Sequence, residues 1–217
     1  MTERKGPKTV ITIAASKGYL LKETLALFKK VGIFFEKDIL ETRRLFAYDK
    51  SKTIKLLLIR PWDVPVYVEQ GAADIGIAGL DTVLEQGSNV LKLLDLYFGA
   101  CRLIIAGPKG AKESPLKHNI TVATKYPHSA EQFFQKKGLK VNLIKLYGAI
   151  ELAPLTGLSD VICDLTASGK TLEENNLKIL ESVFESSAIL IANPVAIKFK
   201  YETISNLVAD LKKNLKK

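Results

Sequence analysis

The feature that most constrains this chain is the alternation of short, continuously apolar runs with segments whose apolar residues recur at helical spacing. Residues 9–15 (TVITIAA), 54–59 (IKLLLI), 74–78 (DIGIA), 101–108 (CRLIIAGP), 119–124 (NITVAT), 141–146 (VNLIKL), 159–165 (SDVICDL) and 187–193 (SAILIAN) read as strands. Strands apolar at nearly every position have both faces buried, the habit of parallel sheets covered by helices. Between the first two, Leu20, Leu21, Thr24, Leu25, Leu27, Phe28 and Val31 fall on one face of a helix. Further helices are expected from Pro61 towards Gln70 with Gly71 as the stop, over 80–86, from Ser129 to Lys137, and over 199–215. An α/β protein with mixed, mainly parallel sheets follows. No internal repeat is visible in the sequence.

CRLIIAGP and AILIANP are alike: each is an apolar strand ending in a small residue and proline. They read as two antiparallel crossing strands that join two lobes. Lobe I would hold residues 1–100 and 187–217, lobe II residues 101–186. A cleft between lobes is the default ligand site. At 217 residues the chain has room for this arrangement. No apolar run approaches the roughly 18 residues that span a bilayer. The charged opening stretch leads into a short apolar run without a cleavage pattern, so that run reads as the first strand. Cys101 and Cys163 lie far apart in apolar runs, as buried thiols in a reducing cytoplasm would. The net charge of +9 is spread along the chain and not gathered into an arginine stripe, which argues against nucleic acid and leaves polyanionic small substrates.

The stretch VICDLTASGKTLEENN (161–176) carries the most chemistry. A buried strand runs into Asp164, then into a loop of small residues before a helical stretch near Leu172. Ala167, Ser168 and Gly169 let backbone N–H groups converge on a phosphate, Ser168 and Thr171 add hydroxyls, and Lys170 adds charge. Ser168-Gly169-Lys170-Thr171 is not a P-loop, because that motif needs glycine where Asp164 stands. An acid at a strand end can instead accept hydrogen bonds from a sugar diol while the loop beyond holds the sugar's 5-phosphate. The same residues read equally well as a plain helix entry, with Ser168 as the cap and Asp164 as a turn residue.

Longer segments carry a resemblance. SKGYLLKETLALFKKVGI (16–33), RRLF (43–46), LLIRPWDVPVYVEQGAADIGIAGLDTVLEQG (57–87), LLDLYFGACRLIIAGP (93–108), VATKYP (122–127), IKLYGAIELAPLTGLSDVICDLTASGKTLEENNL (144–177) and FESSAILIAN (184–193) together resemble the ATP phosphoribosyltransferases, which open histidine biosynthesis. The resemblance implies a two-lobe fold like the type II periplasmic binding proteins. It implies a cytoplasmic enzyme joining ATP to 5-phosphoribosyl pyrophosphate (PRPP), with Mg2+ as cofactor. The chain resembles the family's short form, which lacks a C-terminal regulatory domain. Such members work with a regulatory subunit similar to histidyl-tRNA synthetase, in a hetero-octamer; a homodimer is the expectation for the chain alone.

On this resemblance, Asp164 binds the ribose diol, and Thr166, Ala167, Ser168, Gly169, Lys170 and Thr171 cradle the 5-phosphate in the loop 164–172. Lys17, Arg43 and Arg60 are the catalytic candidates, facing the pyrophosphate and triphosphate, with Arg44 a neighbour. Arginine suits this task because its planar fork binds phosphate oxygens bidentately. Glu151 and Asp160 are candidates to orient the sugar or a magnesium-bound water. No residue is assigned as a metal ligand, since substrate phosphates hold magnesium with few protein groups. Taken alone, Lys17 is a turn lysine, Arg43 and Arg44 partners for surface acids, Asp160 a strand-start residue and Glu151 a helix cap. The chain departs from the family after Lys17-Gly18, where Tyr19 replaces the usual arginine: either the Tyr19 hydroxyl donates a hydrogen bond instead, or a nearby lysine such as Lys22 compensates. The competing expectation is a non-catalytic two-lobe solute-binding module; the loop after Asp164 favours a phosphosugar over an amino acid as its ligand.

Overall fold

In the computed structural model, which describes residues 9–41, 43–110 and 116–215, the apolar runs form two sheets in two units. The charged opening stretch 1–8 lies outside the described residues. Unit 1 comprises Met1–Val83, Gly87–Gly99 and Ser187–Lys217, and unit 2 comprises Leu84–Gln86 and Ala100–Ser186.

The sheet of unit 1 is built from β1 (Ile11–Ser16), β2 (Phe46–Tyr48), β3 (Ile54–Ile59), β4 (Ile75–Gly79), β5 (Leu91–Asp95) and β11 (Ala188–Ala192), in the order β2-β3-β1-β4-β11-β5. β3, β1 and β4 are parallel, while β11 runs against both β4 and β5. Helix α1 (Tyr19–Lys30) leads from β1 towards β2 and β3, and α2 (Val64–Glu69) leads from β3 to β4. Ile13 and Ala15 pack with Leu21 and Phe28 of α1 and with Ile204 and Leu207 of the last helix, Tyr201–Asn214. Ala14 packs on the opposite face with Val64 and Val68 of α2. Both faces are therefore covered, which explains why β1 is apolar at successive positions. Gly76 makes the second contact possible: a Cβ there would meet Val68 Cγ2 at 2.7 Å.

Unit 2 uses β6 (Cys101–Pro108), β7 (Thr121–Thr124), β8 (Asn142–Lys145), β9 (Val161–Thr166) and β10 (Leu177–Ser186), in the order β10-β6-β9-β7-β8. β8, β7 and β9 are parallel and β6 runs against its neighbours. The crossovers are α4 (Pro127–Lys136) and α5 (Leu152–Leu155). Tyr126 provides no side-chain cap for α4; Glu85, in α3 (Leu80–Gln86), does so by accepting from the amides of His128 and Ser129, each at 2.9 Å.

The two units share one strand order that no sequence repeat announces. β7, β8, β9, β6 and β10 take the places of β1, β3, β4, β11 and β5. A common clasp holds each. In unit 1, Asp74 donates its N–H to Thr12 O at 2.9 Å and accepts the Thr12 N–H on Oδ2 at 2.7 Å. In unit 2, Asp160 makes the same pair with Thr121, at 2.9 and 2.7 Å. Each aspartate stands three residues after a glycine in the left-handed region, Gly71 at φ 74° and Gly157 at φ 73°, where other residues are strained. In unit 1 the Lys200 Nζ also reaches Asp74 Oδ2 at 2.7 Å and Val10 O at 2.9 Å.

β6 and β11, expected as crossing strands, do not pair with each other; each is the reversed strand within its own sheet. The chain passes between units just before β6 and again between β10 and β11. The sequence pattern also misses β10, because its ladder with β6 shifts register twice and breaks the alternation of buried positions. It misses β2, a three-residue edge strand with Phe46 and Tyr48 exposed. β2 is held by Asp49, whose carboxylate accepts the amides of Ser51, Thr53 and Ile54 at 3.0, 2.8 and 2.6 Å. Burial alone would raise the Asp49 carboxyl, but these donors and the Ser51 hydroxyl outweigh it and hold it below its ordinary value.

Losing one clasp leaves a strand amide without its acceptor, at about 1–2 kcal/mol. In a chain this size that is a Tm loss of roughly 2–8 °C. Asp160→Ala is expected to fall in that range by calorimetric melting. Asp74→Ala should lose more, because it also strands the half-buried Lys200 ammonium. Equal losses would mean that Lys200 contributes nothing.

Candidate active site

The carboxyl ends of parallel strands are where an α/β sheet leaves room for a ligand, because the crossovers diverge there. In unit 2 that edge carries Asp164, near the end of β9. The chain then turns through Ala167 and Ser168, passes Gly169 at φ 78°, and enters α6 (Lys170–Glu174). Leu172 anchors the turn in the core beside Ile104, Ala123 and Ile162. Glu151 and residues 164–172 line one recess of about 200 Å³. Thr166 Oγ1 accepts the Gly169 N–H at 2.9 Å, and Ser168 Oγ lies 3.4 Å from the Lys170 N. A hydroxyl that accepts an amide keeps its own proton to donate. The helix cap position belongs to Gly169, so Ser168 is not the cap. Glu151 occupies the cap position of α5 without capping it.

Asp164 is half-buried, and its Oδ1 accepts the Leu165 N–H at 2.8 Å. Burial is the main force raising its pKa, to about 6; the Glu151 charge adds to the rise, while the Leu165 amide and the Lys125 charge oppose it. Lys125 follows β7. The β7–β9 ladder ends at Thr124 opposite Cys163, so the next step of the register sets Lys125 beside Asp164. Thr124, fully buried, ties the two strands there: its hydroxyl donates to Cys163 O at 2.6 Å and accepts the Tyr126 N–H at 2.8 Å. Lys125 lies in the VATKYP segment that carries the resemblance, but only the register brings it next to Asp164. Burial pushes the neighbouring Cys163 thiol up, which keeps it inert.

Unit 1 presents cations on the equivalent edge. The β1–β3 ladder ends at Ser16 opposite Ile59, so Lys17 and Arg60 follow at adjacent positions. Both line a recess of about 580 Å³ with Leu45, Phe46, Asp63 and Tyr67. Arg60 is exposed and begins the 3₁₀ turn Pro61–Asp63. Arg43 and Arg44 line a second recess, of about 840 Å³, with Tyr48 and Lys50. Arg44 Nη1 pairs with Glu36 Oε2 at 3.3 Å, an exposed surface ion pair of the kind expected for this arginine taken alone.

Two candidates stand apart. Tyr19 is 61 % exposed at the start of α1 and lines neither recess; Lys22 is exposed one turn later. Asp160 forms the clasp with Thr121 at the opposite end of β9 from the recess, about 13 Å along the strand from Asp164.

Two α/β units of one strand order, joined twice, define the two-lobe fold of the type II periplasmic binding proteins. The aliphatic sulphonate binding protein SsuA of Escherichia coli shares this fold, with TM-score 0.60 at 14% identity over 96% of this chain and 69% of that one. A family model described as HisG: ATP phosphoribosyltransferase matches residues 60–213, and the chain belongs to that family. It is 46% identical over 205 residues to an ATP phosphoribosyltransferase of Caldanaerobacter subterraneus subsp. tengcongensis, covering 94% of this chain and 96% of the relative. It is 44% identical over 208 residues to that of Citrifermentans bemidjiense, covering 94% and 98%. Among solved structures, a chain of the ATP phosphoribosyl transferase (HisG:HisZ) complex from Thermotoga maritima is similar at TM-score 0.82 and 33% identity, covering 95% of this chain and 98% of that one. No helix among the described residues is long and apolar enough to cross a membrane.

The raised Asp164 pKa has a consequence for stability. The native protein holds a proton there between about pH 4 and pH 6 that the unfolded chain has lost. The stabilisation is therefore complete below about pH 4 and lost as pH rises through about 6. A shift of about two units is worth at most roughly 3 kcal/mol, less with partial solvation. Asp164→Asn removes the charged form and should raise Tm by a few degrees at pH 7.5, with the gain vanishing near pH 4. A Tm unchanged or lowered at pH 7.5 would show that the carboxylate is well solvated or structurally required.

Proposed function

We propose that this protein catalyses the reaction of ATP with PRPP to give N1-(5-phosphoribosyl)-ATP and pyrophosphate, the first step of histidine biosynthesis. Membership of the family supports the reaction, and the recess holding Asp164 at the carboxyl edge of the unit 2 sheet is the observation that ties it to particular residues. Adenine N1 attacks ribose C1 with a lone pair and has no proton to lose, so no strong general base is needed. The difficulty is charge: two polyanions must meet, and negative charge grows on the departing pyrophosphate. Fixed donors and cations acting on that charge do most of the work.

In this reading Asp164 accepts hydrogen bonds from the ribose hydroxyls. The loop amides around Ala167 and Gly169, the Thr166, Ser168 and Thr171 hydroxyl protons and the Lys170 ammonium hold the 5-phosphate. Glu151, in the same recess, orients the sugar. Lys17 and Arg60, side by side on the unit 1 edge, bind polyphosphate, and Arg43 adds a further exposed guanidinium. Asp160 is left with the clasp, and Tyr19, which lines neither recess, is given no substrate contact. Magnesium enters on the substrate polyphosphates, held mainly by their oxygens, and offsets their charge. Cys163 is buried as expected while Cys101 is only half-buried, neither is in a disulfide, and a reducing cytoplasm is the compartment we infer. The Thermotoga maritima relative is part of a HisG:HisZ complex, and a regulatory subunit of that kind is the partner we infer.

Calorimetric titration with PRPP and magnesium tests the binding half. Saturable binding is expected, at least tenfold weaker in Asp164→Asn despite its higher Tm. Wild-type affinity in that variant would leave the carboxylate without a role in binding. Pyrophosphate release that needs both substrates, assayed with and without the regulatory subunit, tests the chemistry. Arg60→Ala should lower turnover by one to two orders of magnitude with little change in Tm, and equal turnover would remove Arg60 from the site.

A further inference from the structure

We propose that Lys125 is a positioning residue for this reaction, the counter-charge that keeps Asp164 ionised and aimed at the ribose hydroxyls. The inference rests on the reading of unit 2 as the phosphoribosyl site. It stands first on geometry. Thr124 is locked to Cys163 through its hydroxyl at the last pair of the β7–β9 ladder, so the next residues, Lys125 just past the end of β7 and Asp164 within β9, leave that pair as neighbours, close enough for the Lys125 charge to act on Asp164. In a parallel ladder, paired residues project on the same face, and neighbouring strands lie about 4.8 Å apart.

The repeat of the fold supplies a second, independent observation. The clasps align Thr12 with Thr121 and Asp74 with Asp160. Counting from them, Lys125 stands where unit 1 has Ser16, and Asp164 where unit 1 has Ala78. Ser16 and Ala78 are buried and uncharged. The architecture therefore needs no charge pair at this place, and unit 2 carries one at the mouth of its recess.

The electrostatics give the pair a task. Glu151 faces Asp164 from α5, and Lys170 lines the same recess from α6; the strand on the other side, β6, offers the apolar Ile104. Burial and Glu151 both favour a protonated Asp164, and Lys125 is the charge that opposes them. A carboxylate can accept from both hydroxyls of a diol, whereas a carboxylic acid gives up part of that capacity to its own proton. Without Lys125 the acid form would persist towards neutral pH and the sugar would be held less well.

The test is the pH dependence of PRPP affinity, with magnesium, for the intact chain and for Lys125→Met, Lys125→Arg and Glu151→Gln. PRPP phosphates titrate in the same range, so differences between proteins are the readout. Lys125→Met should move the acid limb of binding up by about half to one pH unit and approach wild-type affinity above about pH 8. Lys125→Arg should restore the wild-type limb, and Glu151→Gln should move it down. A folded Lys125→Met with an unmoved limb overturns the inference, whether its affinity is unchanged or uniformly weaker; uniform weakening would make Lys125 a direct phosphate contact. Should Lys125→Met fail to fold, an unmoved limb in Glu151→Gln overturns the balance of charges on which the inference depends. A folded wild type that binds no PRPP at any pH overturns the underlying assignment of the site instead.

Discussion

The clasp between an aspartate and the first strand of each sheet is the constraint on which the rest depends. Asp74 and Asp160 each close a two-way pair of hydrogen bonds onto a threonine, at the point where the third parallel strand begins beside the first. This sets the register of the central ladders, β1 with β4 and β7 with β9. Register matters because a slip of one residue would turn every side chain to the other face. Both faces of the unit 1 sheet are packed against helices, so a slipped strand would have to repack two apolar layers at once. With the entrances of the strands pinned, their exits are pinned as well, and the exits carry the candidate chemistry.

At those exits the protein places charge where charge is expensive. Asp164 is partly removed from water next to another carboxylate, and its rise to about pKa 6 records the free energy involved. Such a group is a poor device for stability and a good one for binding, since hydrogen bonds from a ligand's hydroxyls can replace the lost water. The loop beyond it follows the same logic. Its small residues and the left-handed Gly169 leave the backbone open, and the hydroxyls of Thr166 and Ser168 serve the turn while retaining protons for an anion. The cations of unit 1 remain more exposed, which suits groups meeting strongly hydrated polyphosphates.

The two units show how one strand order serves two kinds of chemistry. Unit 1 ends its central strand at Ser16 and follows it with Lys17, and unit 2 follows its own with Lys125 and Tyr126. The third parallel strands reach Ala78 and Asp164 at the matching place. The same edge thus presents exposed cations in one unit and a half-buried carboxylate near a lysine in the other. That division fits a family whose reaction must hold a phosphorylated sugar and control the charge of two polyphosphates.

The sequence by itself determined the strands that are buried on both faces, the helices with long apolar stripes, and the loop after Asp164. For these, the physical signal is local: continuous apolar runs, 3.6-residue spacing, and small residues between a strand and a helix. It also picked out β6 and β11 as a matching pair of crossing strands; that each runs against the neighbours in its own sheet came from the structure. Tertiary structure alone decided the rest. β10 carries a broken burial pattern because its ladder bulges twice, and β2 is too short and too exposed to leave a hydrophobic signature. The separation of Asp160 from Asp164 follows from strand length, and the pairing of Lys125 with Asp164 from a register fixed 39 residues away in the chain, by Thr124 on Cys163. The repeat between the units is likewise invisible in one dimension. Only the clasps, the left-handed glycines and the strand order are common to both halves, and hydrogen bonds between distant backbones impose those without requiring similar side chains elsewhere.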